Sequence, residues 1–480
     1  MTEQQLLDLE PALAAFLERF IGCCAYRPTF AHLTTYVRGL LCDLPRKSVE
    51  PIALKAGTPV RTLQEFLKDH AWSFQAVRDR LAAFALEQLA AAADPAGLGA
   101  VGVIDETSSV KQGERTPGVQ RQYLGCTGKV DNGIVTVHLA LARGRFKALI
   151  DADLFLPQKW SEDRARCRAA GIPDELVHRP KWQIALEQID RARSNGVSTD
   201  WLCFDEEYGK SPAFIQKLDE RGLRFVGEVP RTLSCLVVNR RADRPTARTE
   251  AHAAEHVVHS MRQFRDQKWR VVRLSRQTRA DQIWRVKAAR VWLHGSGGWS
   301  SGTYWLIWAS NDETGEEKFF LSNAPEDASI ETLVRVAFMR WNVEHGFRVA
   351  KSELGFTHFE GRNYVALMRH LSLCLVAMAF VSSQAEALRG EKPGGDDGAG
   401  VPCDGRADAV LADGEAGQHG SGARQARHRL PPEAQPRGAA VSPEAPEPTH
   451  AARPQETPTS KTTKKTTSSV HRDVKVALYC

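Results

Sequence analysis

Leu98-Gly99-Ala100-Val101-Gly102-Val103-Ile104-Asp105 is an apolar run that ends on a carboxylate, and Trp201-Leu202-Cys203-Phe204-Asp205 ends the same way. Runs this short and this apolar suit buried strands with an acid at each C-terminal edge. Between them, Gln122 to Lys129 and Ile134 to Leu141 read as strands joined by a turn at Asp131-Asn132-Gly133, because Asn-Gly tolerates positive φ. Trp182, Ala185, Leu186 and Ile189 mark a helix face that closes near Gly196. Ser211-Pro212 opens a second helix that stops at Gly222, and Phe225 to Val229 supplies a fifth strand. The order is βββ-α-β-α-β, which predicts an α/β core over residues 98–230.

Outward from this core the texture changes on both sides. Residues 1–97 read as all-helical: Leu6, Leu7, Leu9, Leu13, Phe16 and Phe20 recur at roughly helical spacing. Within them, Ser48 caps a helix ending at Gly57, and Thr58-Pro59 opens another carrying Leu63, Phe66 and Leu67. This is a helix–turn–helix silhouette as well as an ordinary helical hairpin. Arg46, Lys47, Lys55, Arg61 and Lys68 favour a DNA-binding use. On the other side, residues 231–322 hold a run of strand candidates and read as a β-rich insertion. A second part of the core, 323–385, follows. There Ile330, Leu333, Val334, Ala337, Phe338 and Trp341 predict one long helix to about Lys351, and Val365 to Val381 predict another. In residues 391–480 there are 10 Gly, 10 Pro and only nine Leu, Ile, Val or Phe. A tail of that composition, from about 386 onward, is expected to be disordered.

Composition narrows the class. A chain of 480 residues, 42% apolar and 25% charged, is neither collagenous nor wholly disordered, and its length implies more than one domain. The apolar run Leu371 to Val381 is shorter than the roughly 20 residues a membrane helix needs, so no membrane association is expected. Glu3, Asp8 and Glu10 sit where a secretory leader would be cationic, which predicts a cytoplasmic protein. Ten cysteines include no CxxC pair, so free thiols are the expectation. The net charge is +6, and the tail's 12 Lys and Arg against 12 Asp and Glu leave all of it to residues 1–390. The folded part is therefore basic, which suits a nucleic-acid partner.

Carboxylates at the ends of two buried strands, joined by a third from a later helix, can gather hard divalent cations. Asp105, Asp205 and Glu344 fit that description, and in two-metal phosphoryl transfer such a cluster serves the attacking and the leaving oxygen. Arg340, four residues before Glu344, and Lys351, seven after, share one helix face with it. Such a face is either an exposed ion-pair ladder or a metal ligand flanked by phosphate-binding cations. Lys111 and Arg121 are candidate phosphate contacts near Asp105, as is Arg348 on the helix of Glu344. His252, His256 and His259 lie at i, i+4 and i+7, but with no fourth ligand nearby a polar helix is the simpler reading.

The segments Gly102-Val103-Ile104-Asp105-Glu106-Thr107, Gly118-Val119-Gln120-Arg121-Gln122-Tyr123, Phe204-Asp205-Glu206-Glu207-Tyr208-Gly209 and Arg340-Trp341-Asn342-Val343-Glu344 through Lys351 resemble those of DDE-superfamily insertion-sequence transposases. The likeness is to the bacterial group numbered seven-hundred-one, related to the Tn-five-like cut-and-paste enzymes. It spans about residues 10–385. The resemblance implies an RNase-H-like catalytic core, interrupted by a β-rich insertion and preceded by an all-helical DNA-binding domain. It also implies that Asp105, Asp205 and Glu344 are catalytic and bind two magnesium ions, with manganese able to substitute. The relatives carry a Tyr-x2-Arg-x3-Glu-x6-Lys signature that Arg340, Glu344 and Lys351 match, while Ala337 stands in the Tyr position. Glu353 and Glu360 are rival third acids, and Glu344 is preferred on its Arg and Lys spacing. The implied activity is cleavage of inverted repeats in double-stranded DNA and joining of the 3′ ends to target DNA. A homodimer on DNA, associated with the bacterial nucleoid, would perform it. A decayed DNA-binding copy that represses related elements is the alternative.

Overall fold

The computed structural model describes residues 3–239, 244–276, 279–295 and 297–390; the tail beyond 390 lies outside the described residues. Its N-terminal part is built from helices α1 (Glu3–Glu18), α2 (Arg27–Leu41), α3 (Val49–Lys55), α4 (Val60–Lys68) and α5 (Phe74–Ala91). Leu9, Leu13, Phe16 and Phe20 are buried, as their spacing predicts. Gly57, at φ +64°, makes the sharp turn between α3 and α4 that a residue with a Cβ would resist. Pro59 sits one position earlier than expected, at the N-cap of α4. Leu63, Phe66 and Leu67 are buried on α4, which leaves Arg61, Gln64 and Lys68 exposed.

Next come strands β1 (Val101–Val110), β2 (Gln120–Leu124), β3 (Lys129–Arg143) and β4 (Phe146–Leu154). β3 runs antiparallel between β1 and β4 and also pairs with β2. Helices α6 (Gln158–Glu162), α7 (Arg164–Ala169) and α8 (Lys181–Ser194) lead to β5 (Trp201–Phe204), which lies parallel to β1. The short α9 (Glu206–Gly209) and then α10 (Pro212–Glu220) lead to β6 (Phe225–Glu228), parallel to β5. The result is a mixed α/β arrangement with β1 between an antiparallel meander and two parallel strands.

The expected turn at Asp131-Asn132-Gly133 is not a turn. Those residues lie inside β3, and the reversal falls at 125–128, where Gly128 takes φ +65°. The Asn-Gly pair serves packing instead. Asn132 Nδ2 donates to the carbonyls of Lys111 (2.7 Å) and Gly113 (2.8 Å), and a Cβ on Gly133 would stand 2.5 Å from the Ser109 carbonyl oxygen. The third meander strand is consequently β4, a run the sequence reading passed over.

Residues 234–322 contribute β7 (Ser234–Val237), β8 (His252–Ala253), α11 (Ala254–Ser260), α12 (Arg262–Arg265), β9 (Arg270–Arg276), β10 (Arg279–Gly295), β11 (Gly298–Trp299), β12 (Tyr304–Ser310) and β13 (Glu317–Ser322). β13 pairs with β6, so these strands extend the core sheet. After them the expected single long helix is two, α13 (Ile330–Phe338) and α14 (Arg340–Glu353), parted at Met339. At the break Phe338 and Trp341 pack ring to ring at 4.2 Å, and Trp284 of β10 meets Phe338 at 4.8 Å.

The last helix, α15 (Tyr364–Gly390), contains a stretch long and apolar enough to cross a membrane, but it runs through the interior. Leu373, Leu375, Val376, Ala377 and Ala379 are fully buried. Its Arg369 donates to the carbonyls of Phe66 (3.3 Å), Leu67 (3.2 Å) and His70 (2.8 Å), which satisfies the end of α4. The N-terminal helices, α15 and β4 thus share one core.

Candidate active site

β1 and β5 set the site. Their register pairs Val101 with Trp201 and Val103 with Cys203, so two residues further on Asp105 is level with Asp205. Neighbouring strands lie about 4.8 Å apart, which brings the two acids side by side at the carboxyl edge of the parallel pair. Three glycines permit this closeness. A Cβ on Gly102 would meet Leu202 at 2.6 Å, one on Gly227 would strike the Phe204 ring at 1.9 Å, and one on Gly209 would stand 1.9 Å from the Glu228 carbonyl oxygen.

Both carboxylates are held. Asp105 is 8% exposed and its Oδ1 accepts the Glu106 amide at 2.7 Å. Asp205 caps α9, its Oδ1 accepting the Tyr208 amide at 3.4 Å. Burial raises the Asp205 carboxyl above its usual range, opposed by the Arg340 guanidinium and that amide. Arg340 Nη1 lies 3.7 Å from Asp105 Oδ2, so one cation, at the first residue of α14, serves both acids.

The rest of α14 is docked over the same spot. His138 is directly opposite Asp105 in the β1–β3 ladder and is fully buried. Its Nε2 is 2.7 Å from Thr136 Oγ1, and its ring meets Phe347 of α14 edge-on at 5.0 Å. Burial pushes the imidazole down to about 3, so it is neutral. Lys351, one turn beyond Phe347, has its ammonium 5.9 Å from that ring; burial lowers its pKa, with Cys126 and Asp105 among the groups opposing the shift. Arg340, Phe347 and Lys351 therefore define the face of α14 that looks at β1. The side chains of 342–345 lie outside the described residues, and this includes Glu344. By backbone position Glu344 falls on that face, one turn after Arg340.

Other predicted residues are placed elsewhere. The Lys111 ammonium donates to the carbonyls of Thr357 (3.0 Å) and Phe359 (2.7 Å), and burial lowers its pKa to about 8. Arg121 is exposed on β2 and Arg348 is exposed on α14. Of the rival acids, Glu360 pairs with Arg46 at the surface. His259 meets the Trp308 ring at 4.7 Å and lies 3.6 Å from Glu317, while His252 and His256 meet each other with their rings tilted at 5.2 Å.

The sequence reading missed three participants. Glu106, next to Asp105, pairs with Lys181 of α8 at 2.6 Å, yet burial still raises its carboxyl, and its Oε2 has no partner. Tyr208 is buried with an unpartnered hydroxyl whose pKa is raised by burial and by Glu106, Asp205 and Asp105. His138 is the third, and a lone histidine in an apolar strand was its only signal. Among the described residues no three His, Cys, Asp or Glu side chains gather into a metal site. The hard oxygens of Asp105 and Asp205, faced by a guanidinium and bordered by orphaned Glu106 and Tyr208 oxygens, do fit two ligands of a divalent ion.

Asp205 follows the last residue of β5 as expected, whereas Asp105 lies within β1, which runs on to Val110 against β3. Buried acids faced by a helix cation are equipment for handling phosphate esters. The chain belongs to the DDE superfamily endonuclease family, which matches residues 19–295 and so includes Asp105 and Asp205. A curated relative, the "Probable transposase for insertion sequence element IS701" of Microchaete diplosiphon, is 30% identical over 228 residues, 45% of this chain and 56% of that protein. This chain thus spans about half the length of that relative. A solved piggyBac transposase synaptic complex with hairpin DNA aligns with a TM-score of 0.40 at 11% identity, covering 82% of this chain and 74% of that one.

Proposed function

We propose that this protein is a DNA transposase that binds the inverted ends of its own insertion sequence, cuts them by metal-dependent hydrolysis and joins the 3′ ends to target DNA. The observation that carries the reading is the level placement of Asp105 and Asp205 with Arg340 facing both. The meander β4-β3-β1 followed by parallel β5 and β6 supports an RNase-H-like core. Glu344 is the third acid, supported by its position on the α14 face between Arg340 and Lys351.

Asp105 and Asp205, with Glu344, would hold a divalent ion, which when bound would supply Lewis-acid activation of the attacking oxygen and charge neutralisation at the leaving one. The chain's own groups do the rest. Arg340 offers a planar fork to the scissile phosphate, and Lys351, partly desolvated, adds a point charge. Neutral His138 and Phe347 keep α14 against β1 so that both cations stay aimed. Burial of the acids strengthens every charge interaction there. Water first displaces the 3′ oxygen of the element end, and that freed hydroxyl then attacks a target phosphodiester, so one site serves both steps. Exposed Arg61, Gln64 and Lys68 of α4 support end recognition by the N-terminal helices. Two ends call for a homodimer on DNA, acting in the cytoplasm on nucleoid DNA.

The test is cleavage of duplexes carrying the gene's flanking ends, with magnesium or chelator, by the natural protein and by Asp205→Asn. Asn keeps the N-cap acceptor of α9, so the fold survives while a ligand charge is lost. Cuts at the element ends that need magnesium and drop at least a thousandfold in the variant are expected. Specific binding without any cutting would replace this reading with that of a decayed, repressor-like DNA-binding protein.

A further inference from the structure

Charge along the chain is concentrated where no site residue lies. From Met261 to Arg290 there are ten Lys and Arg against two Asp, a net of +8 in thirty residues of a chain whose total is +6. The remaining residues therefore sum to −2, and the folded protein's basic character resides in this one ribbon.

Part of that charge lies along one sheet edge: Arg270 is on the face of Val272 and Leu274 and Arg273 on the opposite face, while Lys287 is buried and Arg285 pairs with Asp312. β9 pairs with β10 and with no other described strand, so it is an edge. Val272, Leu274, Trp284 and Val286 turn inward and are at most 9% exposed. Val271 and Ile283 turn outward at 62% and 40% exposed, each paired across the ladder with an arginine, Arg285 and Arg273 respectively. Lys268, Arg270 and Arg273 are exposed and form no salt bridge among the described residues. Next to them Asp266 takes both Arg262 and Arg265, each at 3.2 Å, which leaves a surplus positive charge there as well. Edge protection against strand addition explains cations on β9, but not those on α12 and in the loop after it.

We propose that the β9–β10 ribbon, with α12, is a docking surface for the phosphate backbone of double-stranded DNA. This rests on the transposase reading above and adds a contact surface that the active site does not include. Lys268 to Arg273 covers about 17 Å in extended chain, a length over which one strand of a duplex presents about five charges. Aliphatic side chains between the cations suit sugar and phosphate contact, and the aromatic rings of this region are otherwise engaged. Trp269 has Arg285 at 4.9 Å and Lys287 at 4.7 Å from its ring, and Trp284 is fully buried. The ribbon's inner face also reaches the catalytic helix: Trp284 packs on Phe338 at 4.8 Å and on Trp341 at 6.1 Å, beside Arg340.

The experiment uses the full chain and a labelled 30-base-pair duplex of arbitrary sequence, with binding measured by fluorescence anisotropy over a salt series. The triple variant Lys268→Gln, Arg270→Gln, Arg273→Gln is compared with a charge-matched control, Arg193→Gln, Lys217→Gln, Arg224→Gln, and with Asp205→Asn. Each lost phosphate contact lowers the slope of log K against log salt by about 0.9, so the ribbon variant should lose about 2.7 in slope while the control keeps the natural slope. Asp205→Asn should bind the duplex like the natural protein and fail only in cutting. Equal slopes and affinities for natural protein and ribbon variant, with the natural protein binding and cutting DNA, overturn the ribbon and leave the transposase reading standing. A natural protein that binds no duplex overturns both. Loss of poly-glutamate binding with unchanged duplex affinity assigns the face to an acidic protein instead.

Discussion

Arg78→Met is expected to destabilise the protein by about 3–5 kcal/mol, the cost of stripping one partner from a buried ion network. Arg78, on α5, is 2% exposed. Its Nη1 lies 3.1 Å from Asp151 and 3.5 Å from Asp153, both on β4, and its Nε donates to Ser372 of α15 at 2.9 Å. Arg191 of α8 completes the set at 2.8 Å and 2.5 Å from the same two acids. Two cations balance two carboxylates, and the variant leaves two buried carboxylates to share Arg191. Methionine roughly matches the aliphatic stem, so packing loss adds little. With a urea m-value of about 3 kcal/mol/M, the midpoint should fall by roughly 1–1.7 M. Adding Asp153→Asn restores neutrality and should recover part of the loss, and the double-mutant cycle measures the coupling. A midpoint shift under about 0.3 M for Arg78→Met would show that the network is not closed as described and would refute the reasoning. Acid bears on the same network. Burial raises Asp153, but Arg78 and Arg191 outweigh it and hold the carboxyl below its usual range. Its contribution is therefore present above the ordinary carboxylate pKa and lost as pH falls through the lower folded value.

Two further outcomes follow from the coordinates. Gly209→Ala puts a Cβ 1.9 Å from the Glu228 carbonyl oxygen, so α9 must shift and carry Asp205 with it; cleavage should fall at least tenfold with folding retained by circular dichroism, and an active Ala variant would contradict the close approach. His370 is buried between Tyr36 (Oη to Nδ1 2.9 Å) and the Gly355 carbonyl (3.1 Å), and burial lowers its pKa to about 3. Its stabilising contribution is complete above the unfolded pKa of about 6.5 and is lost as pH falls from there towards 3. Nuclear magnetic resonance should find this ring neutral at pH 5, and a ring titrating near pH 6.5 in the folded protein would sink the claim.

Much of the core was legible because it rests on local pattern. The apolar run ending at Asp205, the Ser211-Pro212 helix start and the strand candidates of 231–322 correspond to β5, α10 and β9, β10, β12 and β13, since buried strands and capped helices leave composition signals in the residues themselves; the run expected to end at Asp105 belongs to β1, which continues to Val110 because its further half pairs with β3. The Asn132-Gly133 pair misled for an equally local reason. Turn chemistry and close packing ask for the same residue types, and only the partner strand tells them apart. The break at Met339 left no signal either, because it coincides with the packing of Phe338 and Trp341 against Trp284, a residue far away in sequence.

The candidate site divides along the same line. Asp205 after an apolar strand and Arg340 and Lys351 on one helix face are readable from spacing, because the periods of strand and helix are fixed by the backbone. That Arg340 faces both acids, that His138 stands opposite Asp105 under Phe347, and that Lys111 is spent on two carbonyls depend on ladder register and helix docking. The residues numbered 1–97 illustrate the limit most plainly. Sequence determined that they are helical, since periodicity is carried by each segment alone. Only the tertiary structure decided that they share their core with α15 and β4 through Arg78 and Arg369, because a buried cation is assigned its partner by the desolvation cost of having none.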